Sequence, residues 1–339
     1  LQSIKERINW DIKRLGNIIS HWENKQISYT ADEIISVFQK AANEQTLFNF
    51  MNGITAQLRQ MGKHRTSETY HATLRSFMQF RENKDILLDE IDSDLMLMYE
   101  AWLRNRGLSK NSSSFYMRIL RAVYNRAVEK ELTSNRNPFK HVYTGIDKTV
   151  KRAISLKAIK KIKNLDLSLQ PALDFARDMF LFSFYTRGMS FIDMAHLKKK
   201  DQQNGILSYR RRKTGQQLLV KWEKCMQEIA DKHKTDYGSP YLLQILKHPY
   251  DNRSQYKNAL YRTNKNLKEV AKLADISIPL TLYVARHSWA SIAKSKNIPI
   301  SVISEGMGHD SEMTTQIYLA SLDNSVVDRA NTQILRDLL

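Results

Sequence analysis

Apolar residues recur at helical spacing along almost the whole of this chain, and that periodicity constrains its fold more than any other feature. Ile4, Ile8, Ile12, Leu15 and Ile19 form one stripe, and Ile34, Ile35 and Phe38 continue a second after Thr30-Ala31-Asp32-Glu33. Between Thr46 and His141 the spacing predicts four helices. Leu47, Phe50, Ile54 and Leu58 mark the first. Thr66-Ser67-Glu68 opens the second, which carries Tyr70, Leu74, Phe77 and Met78. Ser93-Asp94 caps the third, with Leu95, Met98, Trp102 and Leu103, and Ser112 or Ser113 opens the fourth, with Phe115, Ile119, Val123 and Val128. Convincing strands occur only at 206–209 and 218–222, joined by a turn at Thr214-Gly215. With only 11 Gly and 6 Pro to break helices, the fold class is mainly α with a small antiparallel sheet.

Asn137-Pro138 ends the four-helix block, and 144–152 reads as a polar, basic connector. The expected division is an N-terminal helical segment at 1–42, a helical domain at 43–142, a linker at 143–152 and an α-rich domain at 153–339. Within the last, residues 326–339 carry Val327, Ile334, Leu335 and Leu338 at roughly helical spacing, a candidate for docking onto a neighbouring copy. The chain starts at Leu1 instead of Met, which suggests a preceding segment.

Lys and Arg number 53 against 35 Asp and Glu, a formal charge of +18 spread along the chain, which points to a folded surface for a polyanion. Lys63, His64 and Arg65 at one helix start and Lys110 at another are candidate phosphate contacts, because helix N-termini favour phosphate. Arg118 and Arg121 on outer faces, Lys148, Lys151 and Arg152 in the connector, and Arg210 and Arg212 at the hairpin extend the set. Cys225 is the sole cysteine, so no internal disulfide forms, and no Cys/His cluster has zinc spacing. No apolar run approaches the ~18 residues that span a bilayer. These features fit a cytoplasmic protein.

Gly306-Met307-Gly308-His309 places an imidazole after a glycine-flanked turn, with Tyr318 nine residues further on. A phenol is a poor nucleophile: with an unperturbed pKa of ~10 it is about 0.1% ionised at neutral pH, a cost of ~4 kcal/mol. Attack by tyrosine therefore needs cations and a proton acceptor nearby. Arg286 and His287 lie in Tyr283-Val284-Ala285-Arg286-His287-Ser288-Trp289, and Lys213 lies in Arg211-Arg212-Lys213-Thr214-Gly215.

Together these segments resemble the tyrosine recombinase, or lambda-integrase-like, family, over most of the chain. The resemblance implies a SAM-like core-binding domain ahead of an α-rich catalytic domain with a small sheet, the DNA breaking–rejoining fold. It implies double-stranded DNA as partner, four protomers on paired sites, an accessory DNA-bending protein as a further candidate partner, a nucleoid location, and no metal or cofactor. By resemblance Tyr318 is the nucleophile, Arg286 the bidentate cation on the phosphate, His309 its hydrogen-bond partner and Lys213 the hairpin lysine that protonates the leaving oxygen.

Two positions depart from the family pattern. Tyr283 stands where a histidine is usual, and either it plays a reduced role or His287 partly compensates, although helical spacing points His287 elsewhere. Ser190 stands where the first arginine is usual, three residues before Asp193. Arg187 is the expected replacement, sharing a helical face with Ser190, and Arg211 is the reserve. Asp193 is expected to orient the arginine through a salt bridge, and Asp178 to face solvent. A divergent branch of mobile-element integrases looks similar here. The alternatives are a type IB-like topoisomerase and an inactive DNA-binding regulator.

Overall fold

The computed structural model describes residues 2–43, 46–147, 152–234, 238–246, 252–319, 331–332 and 335–336. The chain divides into two compact units, Leu1–Lys148 and Thr149–Leu339.

In the first unit, α1 (Gln2–Asn24) and α2 (Ala31–Asn43) form the expected hairpin. A capping box starts α2: the Thr30 amide donates to Glu33 at 2.8 Å, and the Glu33 amide to Thr30 Oγ1 at 3.3 Å. Four helices follow, α3 (Leu47–Gln60), α4 (His64–Phe80), α5 (Ser93–Asn105) and α6 (Lys110–Glu129). Their apolar faces close over Met51, Phe77, Tyr99, Leu103, Met117 and Val123. The starts differ slightly from the sequence reading. Helix α4 begins before Thr66, and Asp92 caps α5, its carboxylate accepting from the Leu95 amide at 2.8 Å. Ser109 caps α6, its Oγ accepting from the Ser112 amide at 3.3 Å, so Ser112 and Ser113 lie inside the helix instead of opening it.

The start of the expected connector is fastened to this unit. Glu100 accepts from the Tyr143 amide at 2.9 Å, and Arg121 donates to Thr144 Oγ1 at 3.1 Å. Ser114 Oγ donates to the Gly145 carbonyl, and Asn111 exchanges two hydrogen bonds with the Asp147 backbone at 2.9 and 2.7 Å.

The second unit is built around α8 (Pro171–Tyr185), whose first residue is a proline preset for a helix start. Met179, Phe180 and Phe182 are fully buried. Helix α7 (Leu156–Lys163) precedes it, and α9 (Phe191–Ala195) follows a tight turn. The sheet has order β1 (Gln202–Gln203), β2 (Ile206–Arg210), β3 (Gln217–Lys221), all antiparallel. Leu207 pairs with Val220 and Tyr209 with Leu218, and these four form the inward face at the two-residue period of a strand. The short β1 was not anticipated. Helices α10 (Lys224–Lys232), α11 (Asn252–Leu273) and α12 (Leu282–Ser295) all pack against α8. A separate cluster of Ala290, Ala293, Ile303, Met307 and Leu319 fastens α13 (Ile300–Met307) and α14 (Glu312–Leu319) to α12. No helix among the described residues is long and apolar enough to cross a membrane.

Candidate active site

The site is organised by the turn between α13 and α14. Gly308 has φ 64°, its amide donates to the Glu305 carbonyl at 2.9 Å, and the His309 amide reaches the Ser304 carbonyl at 3.0 Å. That pair of bonds is a Schellman motif, which requires a left-handed residue after the helix. A Cβ at 308 would also lie 2.7 Å from Arg211 Cδ, so glycine is needed for space as well as for conformation.

Arg286 on α12 is only 6% exposed and reaches the same turn. Its Nη1 donates to the Gly188 carbonyl at 2.7 Å, and its Nη2 lies 2.7 Å from the Met307 carbonyl and 3.1 Å from His309 Nε2. His309 Nδ1 is 2.8 Å from Thr315 Oγ1 on α14. Burial pushes the His309 pKa down to about 4, assisted by Arg286, Arg211 and Lys213 and opposed by Asp310. The imidazole is therefore neutral at pH 7.

The β2–β3 turn supplies the opposite wall. Arg211, also 6% exposed, donates from Nη1 to the Gly308 carbonyl. Its backbone closes the turn, with its amide on the Gln216 carbonyl and its carbonyl accepting from Gly215, both at 2.8 Å. Lys213 stands exposed at the tip, and Arg210 donates to the Gly215 carbonyl at 2.7 Å. Arg211 is thus committed to the site's scaffold, a role that sequence reasoning did not assign.

Asp193, 4% exposed, forms no salt bridge among the described residues, contrary to expectation. Its two oxygens accept from Ser190 Oγ at 2.6 Å and from the Arg212 amide at 2.9 Å, tying the start of α9 to the hairpin. A hydroxyl and a backbone amide hold it in place.

The expected helical face shared by Arg187 and Ser190 is absent. Helix α8 ends at Tyr185, Arg187 and Gly188 are both left-handed with φ 61° and 76°, and Ser190 caps a new helix. Two successive left-handed residues reverse the chain, so helical spacing no longer relates 187 to 190. Arg187 nevertheless comes to the site by another route. Its Cδ is 3.6 Å from where a Cβ on Gly306 would stand, and its guanidinium makes no hydrogen bond or ion pair among the described residues. Tyr209, which the sequence did not single out, is a buried phenol facing Asp193, Arg286, Arg211 and Arg187. Burial pushes its pKa above the ordinary tyrosine value.

Tyr283 is 59% exposed, and its ring lies edge-on to the buried His287, centroids 4.4 Å apart. His287 is therefore packed beneath the tyrosine. Tyr318 belongs to α14, one turn beyond Thr315, and its side chain lies outside the described residues.

The phage integrase SAM-like domain matches residues 46–161, and the phage integrase family matches 177–325. The chain belongs to the phage integrase family. It is a tyrosine recombinase, an enzyme of site-specific DNA recombination. A tyrosine recombinase XerA from Pyrococcus furiosus is 27% identical over 246 residues, covering 69% of this chain and 79% of the relative. A lambda integrase dimer bound to a COC' core site matches in fold with a TM-score of 0.63 at 15% identity, over 81% of this chain and 95% of that one. A lambda integrase tetramer bound to a Holliday junction matches with a TM-score of 0.63 at 15% identity, over 84% of this chain and 81% of that one.

Elsewhere in this integrase the basic residues are unequally disposed. Lys63, His64 and Arg65 are exposed at the start of α4, with Arg65 3.6 Å from Glu68. The Lys110 ammonium sits 4.3 Å over the Tyr143 ring, and Arg121 is engaged by Thr144. Arg118 is half-buried, its Nε without a hydrogen-bond partner among the described residues. Arg152, Arg210 and Arg212 are exposed, whereas Lys148 and Lys151 lie outside the described residues, as does most of 326–339. Asp178 does not face solvent: it is buried, bound by Arg177 Nε at 2.9 Å and by Lys232 and His233 at 2.8 Å each. Burial alone would raise its pKa, but His233, Lys232 and Arg177 outweigh it and hold the carboxyl at about 2.

Proposed function

We propose that Tyr318 attacks a DNA phosphodiester, giving a 3′-phosphotyrosine link and a free 5′ hydroxyl, and that the 5′ hydroxyl of a second strand reverses the step. The bond from phosphorus to the 5′ oxygen breaks as the bond to the phenol forms, so the ester energy is retained and the reading needs no ATP. The convergence of Arg286, His309 and Arg211 on one glycine turn, nine residues before Tyr318, carries this reading.

Charge builds on the non-bridging oxygens as phosphorus becomes five-coordinate, and planar cations stabilise it best. Arg286 takes that role, with Arg187 as the second cation and Arg211 in reserve. Tyr283 donates to the phosphate from the rim. Once Arg286 Nη2 turns from His309 Nε2 to the phosphate, the lone pair it leaves on the neutral imidazole accepts the phenol proton, and Lys213, at the hairpin tip, protonates the departing 5′ oxygen. Asp193 and Ser190 hold the hairpin that carries Lys213, and His287 supports Tyr283.

In this reading residues 1–42 form an N-terminal helical segment, 43–142 the core-binding domain, 143–152 the linker and 153–339 the catalytic domain. The basic residues of the first domain and linker, with Arg210 and Arg212, track duplex phosphates. Four copies act on paired sites, docked through 326–339, in a cytoplasmic, nucleoid-associated complex that an accessory DNA-bending protein assists. The likeness to a lambda integrase tetramer supports that arrangement.

A duplex nicked beside the scissile phosphate tests the reading, because the short product diffuses away and traps the adduct. The wild type should accumulate covalent protein–DNA complex, and Tyr318→Phe should bind with near-unchanged affinity yet form none. An adduct from the Phe variant overturns the assignment of the nucleophile. Its absence from the wild type favours a DNA-binding regulator.

A further inference from the structure

We propose that Thr315 is a positioning residue for strand cleavage, fixing the tautomer of His309 and anchoring to it the helix that carries Tyr318. The inference rests on the reading of His309 and Tyr318 given above.

A guanidinium has only donors. Arg286 Nη2, 3.1 Å from His309 Nε2, must therefore donate to it, and Nε2 must hold the lone pair. The single proton of the neutral ring is then on Nδ1, pointing at Thr315 Oγ1 2.8 Å away. Thr315 is 0% exposed. A hydroxyl taken out of water costs free energy unless it is hydrogen-bonded, so at a buried helix position an apolar residue would serve packing equally well. The hydroxyl has a specific use here, as the acceptor that selects one tautomer.

The consequence is mechanical as well as chemical. Positions 315 and 318 are i and i+3 on α14, one above the other on the helix. The imidazole is thus pinned between α12 through Arg286 and α14 through Thr315, and α14 cannot slide along its axis without breaking that contact. When Nε2 takes a proton, its lone pair must first give up the hydrogen bond from Arg286 Nη2, whereas Nδ1–H can stay on Thr315 throughout. The charged groups facing the ring are Arg286 from α12, Arg211 and Lys213 from the hairpin, and Asp310 from its own turn.

Thr315→Val keeps the shape and removes the acceptor, and Thr315→Ser keeps the acceptor. Single-turnover cleavage of the nicked duplex at saturating protein should slow about tenfold in the Val variant, the rate equivalent of one net hydrogen bond. The Ser variant should stay within about threefold of wild type on the same scale. DNA affinity should be unchanged in both. With ¹⁵N-labelled histidine, the signal lost in His309→Gln should report Nδ1–H in wild type and Ser, and mixed tautomers in Val. Wild-type rate and tautomer in the Val variant overturn the proposal. So does equal slowing of Val and Ser with a lowered melting temperature, which would make Thr315 a packing residue. Full cleavage by His309→Gln would instead sink the reading of His309 itself, and the tautomer signal keeps the two failures apart.

Discussion

Gly188 lies directly against Arg286: a Cβ at 188 would meet the Arg286 Cα at 2.7 Å, while the Gly188 carbonyl accepts from Arg286 Nη1 at 2.7 Å. One residue thus gives the arginine both its clearance and one of its anchors. Gly308 repeats the arrangement with Arg211, whose Cδ would be 2.7 Å from a Cβ there and whose Nη1 reaches the Gly308 carbonyl. Each buried arginine rests on a left-handed glycine that is distant in sequence.

Gly188→Ala should therefore damage both fold and site. A non-glycine residue at φ 76° costs about 1–3 kcal/mol, before the clash with Arg286 is counted. Thermal unfolding should show a lowered midpoint, and single-turnover cleavage should fall further than the loss of folded protein explains. An Ala variant with wild-type melting and cleavage would contradict the packing described.

Arg187→Ala should lower cleavage ~10²–10³-fold, about 2.7–4 kcal/mol of transition-state stabilisation, if its guanidinium serves the phosphate. Because that guanidinium has no hydrogen-bond partner among the described residues, thermal stability should barely change. Ser190→Ala should cost about 1 kcal/mol of stability through its lost bond to Asp193, with a smaller effect on rate. Full activity in a folded Arg187→Ala protein would pass the role to Arg211.

Breaking the Asp178 cluster should be a stability defect only. Asp178→Asn removes one of the two carboxylates that Arg177 and Lys232 share, with Asp174 still bound to both, so the loss should be that of charge-assisted hydrogen bonds, about 1.5–3 kcal/mol. The native carboxyl is held at about 2, below its ordinary value, so the native state binds fewer protons than the unfolded chain in that range. Its contribution is complete at neutral pH and is lost as pH falls towards 2. Urea unfolding at neutral pH and in acid should show the variant's deficit shrinking in acid.

His309 has the same sign in a higher window. Its native pKa of about 4 is depressed from the ordinary imidazole value of ~6.5, so between the two the unfolded chain binds more protons and stability falls as pH is lowered. His309→Gln should flatten the stability profile across that window. A profile identical to wild type would mean that the imidazole titrates normally in the folded protein.

Much of this was legible in the sequence where the signal is local. The apolar periods at Leu47, Leu74, Leu95 and Ile119 each mark a helix of the first unit, and the strands around Thr214-Gly215 form the hairpin. Arg286 and His309 meet at one turn, and Lys213 acts on His309 through its charge. What escaped depends on non-local or left-handed backbone. Helical spacing could not show that Arg187 and Gly188 reverse the chain, nor that Asp193 would bind a hydroxyl and an amide. Arg211 was read as the reserve for the displaced first arginine, since nothing nearby in sequence announces a carbonyl at Gly308. Tyr209 and Thr315 looked like ordinary strand and helix residues, and only the packing around them reveals their neighbours.

Arg286 binds Gly188 in the turn after α8, Met307 at the end of α13 and His309 beyond it, so its guanidinium cross-links parts of the chain that are far apart in sequence. Any substitution at 286 removes that cross-link along with the charge. Loss of activity in an Arg286 variant consequently mixes a missing cation with a displaced His309, and the two cannot be apportioned from one rate. An inactive protein intended for trapping intact DNA assemblies is better made at the phenol. Guanidinium analogues added to an Arg286→Ala protein should restore the charge without restoring the cross-link, which turns this residue into a gauge of how far the site depends on its own architecture.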